Sequence, residues 1–289
     1  MTLLLTLLLL GVTVGSMYAL FAVSFGLIYN VTHIFHFAHG FVISAVGYAV
    51  YTLVSVLGWP VWLGIACAVP IAAILGVGIE VLFYRPLRRR RAPFVAFFLT
   101  SVGVLTAGEG LLGVIFGPAV LTLKFLPLQA VHMGGISLPT ANLVMLSAWL
   151  FIALVIGFLL VTRWGRWMRA VGDTPLVAAS VGIDLERTYV WSFLLGSALT
   201  VPAALMYMWY QGLTLSAGLS TILISSAAVI IGGRTGVLAG AIAALGLGLL
   251  EAVAIVFLPS GWQDAVVYSV LLAVIALRPN GIFGRAFRW

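Results

Sequence analysis

LVMLSAWLFIALVIGFLLVT, residues 143–162, runs directly into RWGRWMR, residues 163–169. An uncharged apolar run of that length crosses about 30 Å of hydrocarbon as a helix. The arginines at 163, 166 and 169 mark where the run leaves lipid for water. Similar apolar runs occupy residues 3–25, 41–57, 61–83, 94–116, 189–210, 215–231, 237–258 and 266–277. The last is short as written and extends back towards Gly261. The runs at 41–57 and 215–231 are also short, and either can enter and leave by one face. The reading is therefore an all-α membrane protein, a polytopic bundle of 8–9 transmembrane helices. Continuous stretches of Leu, Ala and Val argue against the roughly ten-residue alternation of a β-barrel strand.

Composition agrees. Hydrophobic residues make up 63 % of the chain, charged residues only 7 %, and the mean hydropathy is +1.23. A soluble domain has about a quarter of its residues charged, and no such surface can be assembled here. Residues 1–10 lack the basic start of a signal peptide and the apolar stretch continues past Tyr18, so a retained first helix is expected. One domain, residues 1–289, is expected throughout. Cys67 is the single cysteine, which excludes a disulfide or a cysteine metal cluster within one chain.

The net charge of +7 sits in short arginine-rich connections, not in a nucleic-acid-binding surface. If the N-terminus is outside and nine segments cross, all thirteen arginines fall on one face and the only lysine, Lys124, on the other. The positive-inside rule then places the N-terminus outside and the C-terminus in the cytoplasm. The expected location is the inner membrane, with lipid around the bundle.

Three connections are long: 31–40 and 163–188 on the cytoplasmic side, and 117–141 outside. YNVTHIFHFAHG (29–40) aligns loosely with YMWYQGLTLSAG (207–218) on the opposite face, the pattern of an inverted repeat. Small residues at 236, 240, 244 and 248, and at 68, 72 and 76, form ridges that let helices approach closely.

Within the segment 163–188, Thr174 suits an N-cap, Pro175 the first helical position and Gly182 the residue past the end. The short helix predicted over 175–181 exposes Leu176, Val177, Ala178 and Ala179 to the cytosol. It either lies on the membrane surface or docks into a groove of another protein.

Gly165-x-x-x-Arg169-Ala170, then Pro175, Ala178, Gly182 and Ile183, resembles the coupling loop of ABC-transporter permeases for branched-chain amino acids. The likeness continues through IGGRTG (231–236), Ala239 and Gly240, Glu251, and RPNGIFG (278–284). Earlier blocks are GSMYA (15–19), residues 26–29, FAHG (37–40) and YRP (84–86). The order and coverage are closest to the H-type, LivH-like branch. The resemblance implies that Arg169, Ala170, Pro175, Ala178, Gly182 and Ile183 couple to an ATPase. It implies a second homologous permease subunit, two cytoplasmic ATPase subunits and an extracytoplasmic substrate-binding protein. The substrate implied is a branched-chain or related small amino acid, while close relatives handle urea and short amides. Two positions depart from the family pattern: His36 replaces a usual Asn, and Phe41 a usual acidic residue.

Phe37, His39 and Gly40 belong to the segment nearest the implied substrate path. Glu109 and Glu251 fall in the outer halves of their helices, where charge is costly and therefore a functional candidate. They either meet the ammonium of an amino acid or hydrogen-bond between helices. Glu80 is expected to pair with Arg85 or to be solvated, and Asp264 to cap the last helix. The spacing of His33, His36 and His39 invites a metal reading, but no carboxylate or thiol lies near them in sequence, and the family motif accounts for His39 without a metal. No phosphate-binding Gly-x-x-x-x-Gly-Lys-Ser/Thr run exists. The chain is thus expected to bind no cofactor itself and to be no enzyme, with ATP held by partner subunits. The rival reading is a self-sufficient secondary transporter or channel that uses Glu109, Glu251 and the histidines.

Overall fold

A computed structural model describes residues 2–122, 130–133, 136–233, 236–259, 262–278 and 280–284. Lys124, Arg234, Arg285, Arg288 and the Asp264 side chain, all singled out above, lie outside what is described. The helices in chain order are α1 (Thr2–Thr32), α2 (Ala38–Tyr51), α3 (Val61–Ile79), α4 (Arg85–Arg89) and α5 (Phe94–Phe116). There follow α6 (Thr140–Val161), α7 (Arg163–Asp173), α8 (Pro175–Ser180) and α9 (Leu185–Ala198). The last four are α10 (Thr200–Gln211), α11 (Ala217–Gly232), α12 (Val237–Phe257) and α13 (Gln263–Leu277). An antiparallel hairpin of β1 (Ala130–Met133) and β2 (Ile136–Pro139) stands in a loop read from sequence as turns.

Among the described residues, seven helical stretches are long and apolar enough to span a membrane: Leu5–Thr32, Ala38–Val56, Val61–Arg89, Phe94–Phe116, Val144–Val161, Leu185–Gln211 and Val237–Phe257. The two remaining runs from the sequence, at 215–231 and 266–277, appear as shorter apolar helices. Two spans contain a π-helical turn, at Thr52–Val56 and Glu80–Tyr84.

α1 forms the middle of the bundle, buried almost continuously from Gly11 to Ile28 and packed by α6, α9, α11 and α12. Glycine makes this density possible. A Cβ on Gly248 of α12 would lie 2.3 Å from the Gly15 nitrogen of α1, so the two backbones touch. Ala244 in the same ridge is fully buried. In the second ridge Ala68 and Ala72 are fully buried, and Gly76 packs against Ser197 of α9. Both ridges are therefore used inside this chain. α3, α5 and α6 turn large apolar side chains outward, among them Ile74, Leu99 and Leu150, as lipid contact requires.

Glu80 pairs with Arg88, not with Arg85, and is wholly buried. The π turn at Glu80–Tyr84 resets the helical phase, so Arg88 comes under the carboxylate. Arg85 turns instead to Glu186 of α9, at 2.7 Å, and Arg88 also reaches Glu186 at 3.4 Å. Four charges thus tie the end of α3 to the start of α9.

Candidate functional site

The chain breaks between α1 and α2 at residues 33–37, in the middle of the packed region. His33 begins the break with φ +54°, a left-handed conformation that ends α1. Ser101 of α5 accepts the Ala38 N–H at 3.0 Å and holds the start of α2. The break carries a buried polar cluster. His36 Nδ1 lies 2.8 Å from Tyr84 Oη, and His39 Nε2 lies 3.2 Å from Ser24 Oγ. The two imidazoles stand 5.4 Å apart, centre to centre, and their other nitrogens have no hydrogen-bond partner. Burial, reinforced by the adjacent His39, pushes the His36 imidazole well below the usual histidine range, so it is neutral near pH 7. His33 turns away from the cluster to the Gly172 carbonyl, 2.9 Å from Nε2. The three histidines therefore share no site. Among the described residues no group of three His, Cys, Asp or Glu could hold a metal.

Gly40 and Gly218 meet immediately beyond the break. A Cβ on Gly40 would lie 2.5 Å from the Gly218 carbonyl oxygen, and a Cβ on Gly218 equally 2.5 Å from the Gly40 oxygen. Only two glycines allow this reciprocal approach. Glu109 reaches in from α5, and its Oε1 accepts the Leu219 N–H at 3.1 Å. It thereby satisfies one of the donors that the start of α11 leaves unpaired. The Phe41 ring lies on Gly108, whose missing Cβ leaves it room, and Phe37 packs edge-on to Phe98 of α5. Phe37, Gly40 and Glu109 are thus gathered where α2, α5 and α11 meet, whereas the His39 side chain turns to Ser24 and Phe25 of α1. Glu251 stands apart on α12. It accepts the Tyr18 hydroxyl at 2.8 Å and borders a separate cavity of about 220 Å³ with Leu10, Val14, Tyr210, Gln211 and Ile255.

The segment 163–188 folds as two helices. Thr162 caps α7, accepting the Gly165 N–H, and Trp164 and Trp167 flank Arg163. Arg169 donates to the Leu159 carbonyl at 2.8 Å, and Ala170 packs on the neighbouring apolar cluster. α8 ends at Ser180, one residue before the predicted end, and the Thr174 side chain makes no cap hydrogen bond. The end of α8 follows the glycine signal. Gly182 has φ +85°, its N–H donates to Ala179, and the Ile183 N–H donates to Ala178. This is a Schellman ending. Ala178, expected from sequence to face the cytosol, is instead buried with Leu27, Val31, Met168 and Tyr189, because α8 folds back on the ends of α1, α7 and α9; Leu176, Val177 and Val181 are exposed, Leu176 by 86 %. α8 is therefore anchored on one side and presents an apolar face on the other. A Cβ on Gly172 would lie 2.3 Å from the Asn30 carbonyl, so α7 presses on the end of α1 beside His33.

Ser24, Ser101 and Gly172 were not singled out from sequence, and Tyr84 stood there only as part of a motif. Their partners lie far along the chain, and only the motif YRP (84–86) carried a signal for any of them.

Known proteins similar in sequence to this chain are transport permeases. The high-affinity branched-chain amino acid transport system permease LivH of Escherichia coli K12 is 26 % identical, covering 95 % of this chain and 94 % of its own. The BraD permease of Pseudomonas aeruginosa is 26 % identical, again over 95 % and 94 %. A probable LivH of Methanocaldococcus jannaschii is 26 % identical over 93 % of this chain and 89 % of its own. No solved structure gives a significant match. Residues 7–275 match the family described as branched-chain amino acid transport system / permease component. Nearly the whole apolar bundle is included in that match, and the chain is a multi-pass inner-membrane protein that belongs to this permease family.

Proposed function

We propose that this chain forms one half of the membrane path of an ATP-driven importer for branched-chain or related small amino acids. The single observation that carries the coupling part is α8. A short helix with Leu176, Val177 and Val181 exposed sits at the arginine-rich end of the bundle and is locked in place by Ala178 and the Gly182 ending. An apolar face in water is covered by a partner, and an ATPase groove is the partner that fits the family. The substrate class comes from the relatives' names and is extended to this chain through the family.

In this reading the N-terminus is outside, the C-terminus is cytoplasmic, and α11 and α13 complete nine crossings. The second permease subunit, two ATPases and an outer binding protein complete the assembly. ATP binds the ATPases, and nucleotide acts on this chain only by favouring one arrangement of the bundle over another. The route runs from α8 through α7 to Gly172, His33 and the break at 33–37. Phe37, His39, Gly40 and Glu109 line the substrate side of that break, and Glu251 faces the outer vestibule.

An inverted repeat is part of the same proposal. Exchanging α1 with α9–α10, α2 with α11 and α3 with α12 exchanges neighbouring pairs with neighbouring pairs. Gly40 and Gly218, aligned with each other in sequence, approach reciprocally across the centre, which supports a pseudo-two-fold axis between them.

The test is subunit composition. Tagged chain purified in mild detergent, with its native neighbours co-expressed, is expected to bring down soluble ATPases and a second permease. Recovery of the chain alone, active in liposomes lacking ATP, would establish a secondary carrier instead.

A further inference from the structure

A cavity of about 950 Å³ opens where the ends of α1, α6 and α11, helix α7, the start of α12 and residues 280–284 meet. Its apolar lining includes Leu27, Ile156, Leu159, Val229, Val237 and Leu238. Its rim belongs to α7 and carries Arg169 and Asp173, of opposite charge and one helical turn apart. Among the described residues the two form no ion pair with each other, and Arg169 uses one guanidinium nitrogen on the Leu159 carbonyl. Asn30 lines the same cavity, and its buried Nδ2 has no hydrogen-bond partner. α6 and α12 both pack on α1 without packing closely on one another, so the cavity lies in a groove between membrane helices.

Charges of both signs, a buried amide donor and apolar walls contributed by membrane helices fit a zwitterionic amphiphile. We propose that this groove seats a phospholipid with an ethanolamine headgroup. The phosphate meets Arg169, the ammonium meets Asp173, the Asn30 amide donates to an ester carbonyl, and an acyl chain lies along α6 and α12. A free amino acid carries the same two charges but leaves most of such a cavity unfilled. Basic pockets between membrane helices take anionic lipid headgroups, and the carboxylate of Asp173 beside Arg169 shifts this one towards a headgroup that also carries an ammonium. The lipid joins α7, the first helix of the coupling segment, to α1 and α12. Its assignment to the cytoplasmic leaflet rests on the orientation proposed above, whereas its presence in the groove does not.

The test uses the full transporter assembly in nanodiscs of mixed phosphatidylethanolamine and phosphatidylglycerol, with the photo-crosslinker p-benzoylphenylalanine replacing Leu238. Mass spectrometry of the adduct is expected to find phosphatidylethanolamine, enriched about fivefold over its share of the bulk lipid. Arg169→Gln and Asp173→Asn are each expected to return the ratio to that of the bulk. If one variant fails to assemble, judged by gel filtration, the other carries the comparison. An adduct with another polypeptide, or with residues 285–289 of this chain, would overturn the proposal. So would a bulk lipid ratio in the parent protein, enrichment unchanged in both variants, or loss of the lipid adduct on adding free leucine.

Discussion

Gly40 and Gly218 touch backbone to backbone, and neither position has room for a methyl group. Gly218→Ala is expected to cost about 1–3 kcal/mol, the usual price of overpacking, and to lower the melting temperature in detergent. Gly103→Ala, on an open face of α5, is the matched control and should be neutral or slightly stabilising. Equal melting temperatures for the two variants would refute the close approach. Gly182 is constrained differently. Nothing stands within 4 Å of its missing Cβ, but its φ of +85° disfavours any side chain by about 1–2 kcal/mol. Gly182→Leu is therefore expected to disturb the end of α8 alone: ATP hydrolysis by the assembly continues, uptake falls and membrane insertion is intact. Unchanged uptake would remove the coupling role from this residue. His36 gives a pH prediction. Its folded pKa is depressed by burial, so stability is fully present above the ordinary histidine value of about 6.5 and declines as pH falls below it, when the unfolded chain takes up a proton that the folded chain refuses. Melting temperatures measured from neutral to mildly acid pH should show that decline, and His36→Asn should flatten it. An identical slope in the variant would assign the acid sensitivity elsewhere.

α8 is where sequence and structure can be compared most closely. Pro175 and Gly182 predicted its start and its stop, because a fixed φ and a positive φ are local properties of single residues. The exposed pair Leu176 and Val177 was legible too, since a helix this short has few faces. Which side is buried was not legible, because Ala178 packs on Leu27, Val31 and Tyr189 from distant parts of the chain. The same holds at the break between α1 and α2. FAHG (37–40) marked the place, but the partners Tyr84, Ser101 and Gly172 are set by helix packing and, for Tyr84, by a π turn that no periodicity announces. That turn also moved Glu80 from the expected Arg85 to Arg88. Leu176→Asp is expected to reduce recovery of ATPase subunits with the purified chain by tenfold or about that much, since it places a charge in an apolar groove. Undiminished recovery would mean that another surface carries the docking. Arg88→Ala leaves Glu80 buried without its cation and should destabilise the join between α3 and α9 by about 3 kcal/mol, read as thermal unfolding. A loss within measurement error would show that Glu80 is held neutral.

At the scale of the whole molecule, hydropathy made the helical bundle legible because lipid leaves a chain few alternatives. Of the three runs that were short in sequence, 215–231 and 266–277 fall below spanning length in the structure, whereas 41–57 is part of a spanning stretch, Ala38–Val56. α11 tolerates its shortness because its N-terminus is buried against α2 and α5, with Glu109 accepting the Leu219 N–H in place of water. The separation of Glu109 from Glu251 was invisible in sequence, where both read simply as carboxylates in the outer half. Their partners differ: Glu109 accepts from a helix N-terminus and Glu251 from the Tyr18 hydroxyl. The central claim is ATP-driven import, and it is tested most directly by labelled-leucine uptake into proteoliposomes that hold this chain, its second permease and the ATPases, with the binding protein present. Uptake that requires ATP, ignores an imposed proton gradient and keeps both properties in Glu109→Gln and Glu251→Gln is the predicted result. Gradient-driven uptake by this chain alone, without ATP and abolished in either variant, would contradict it.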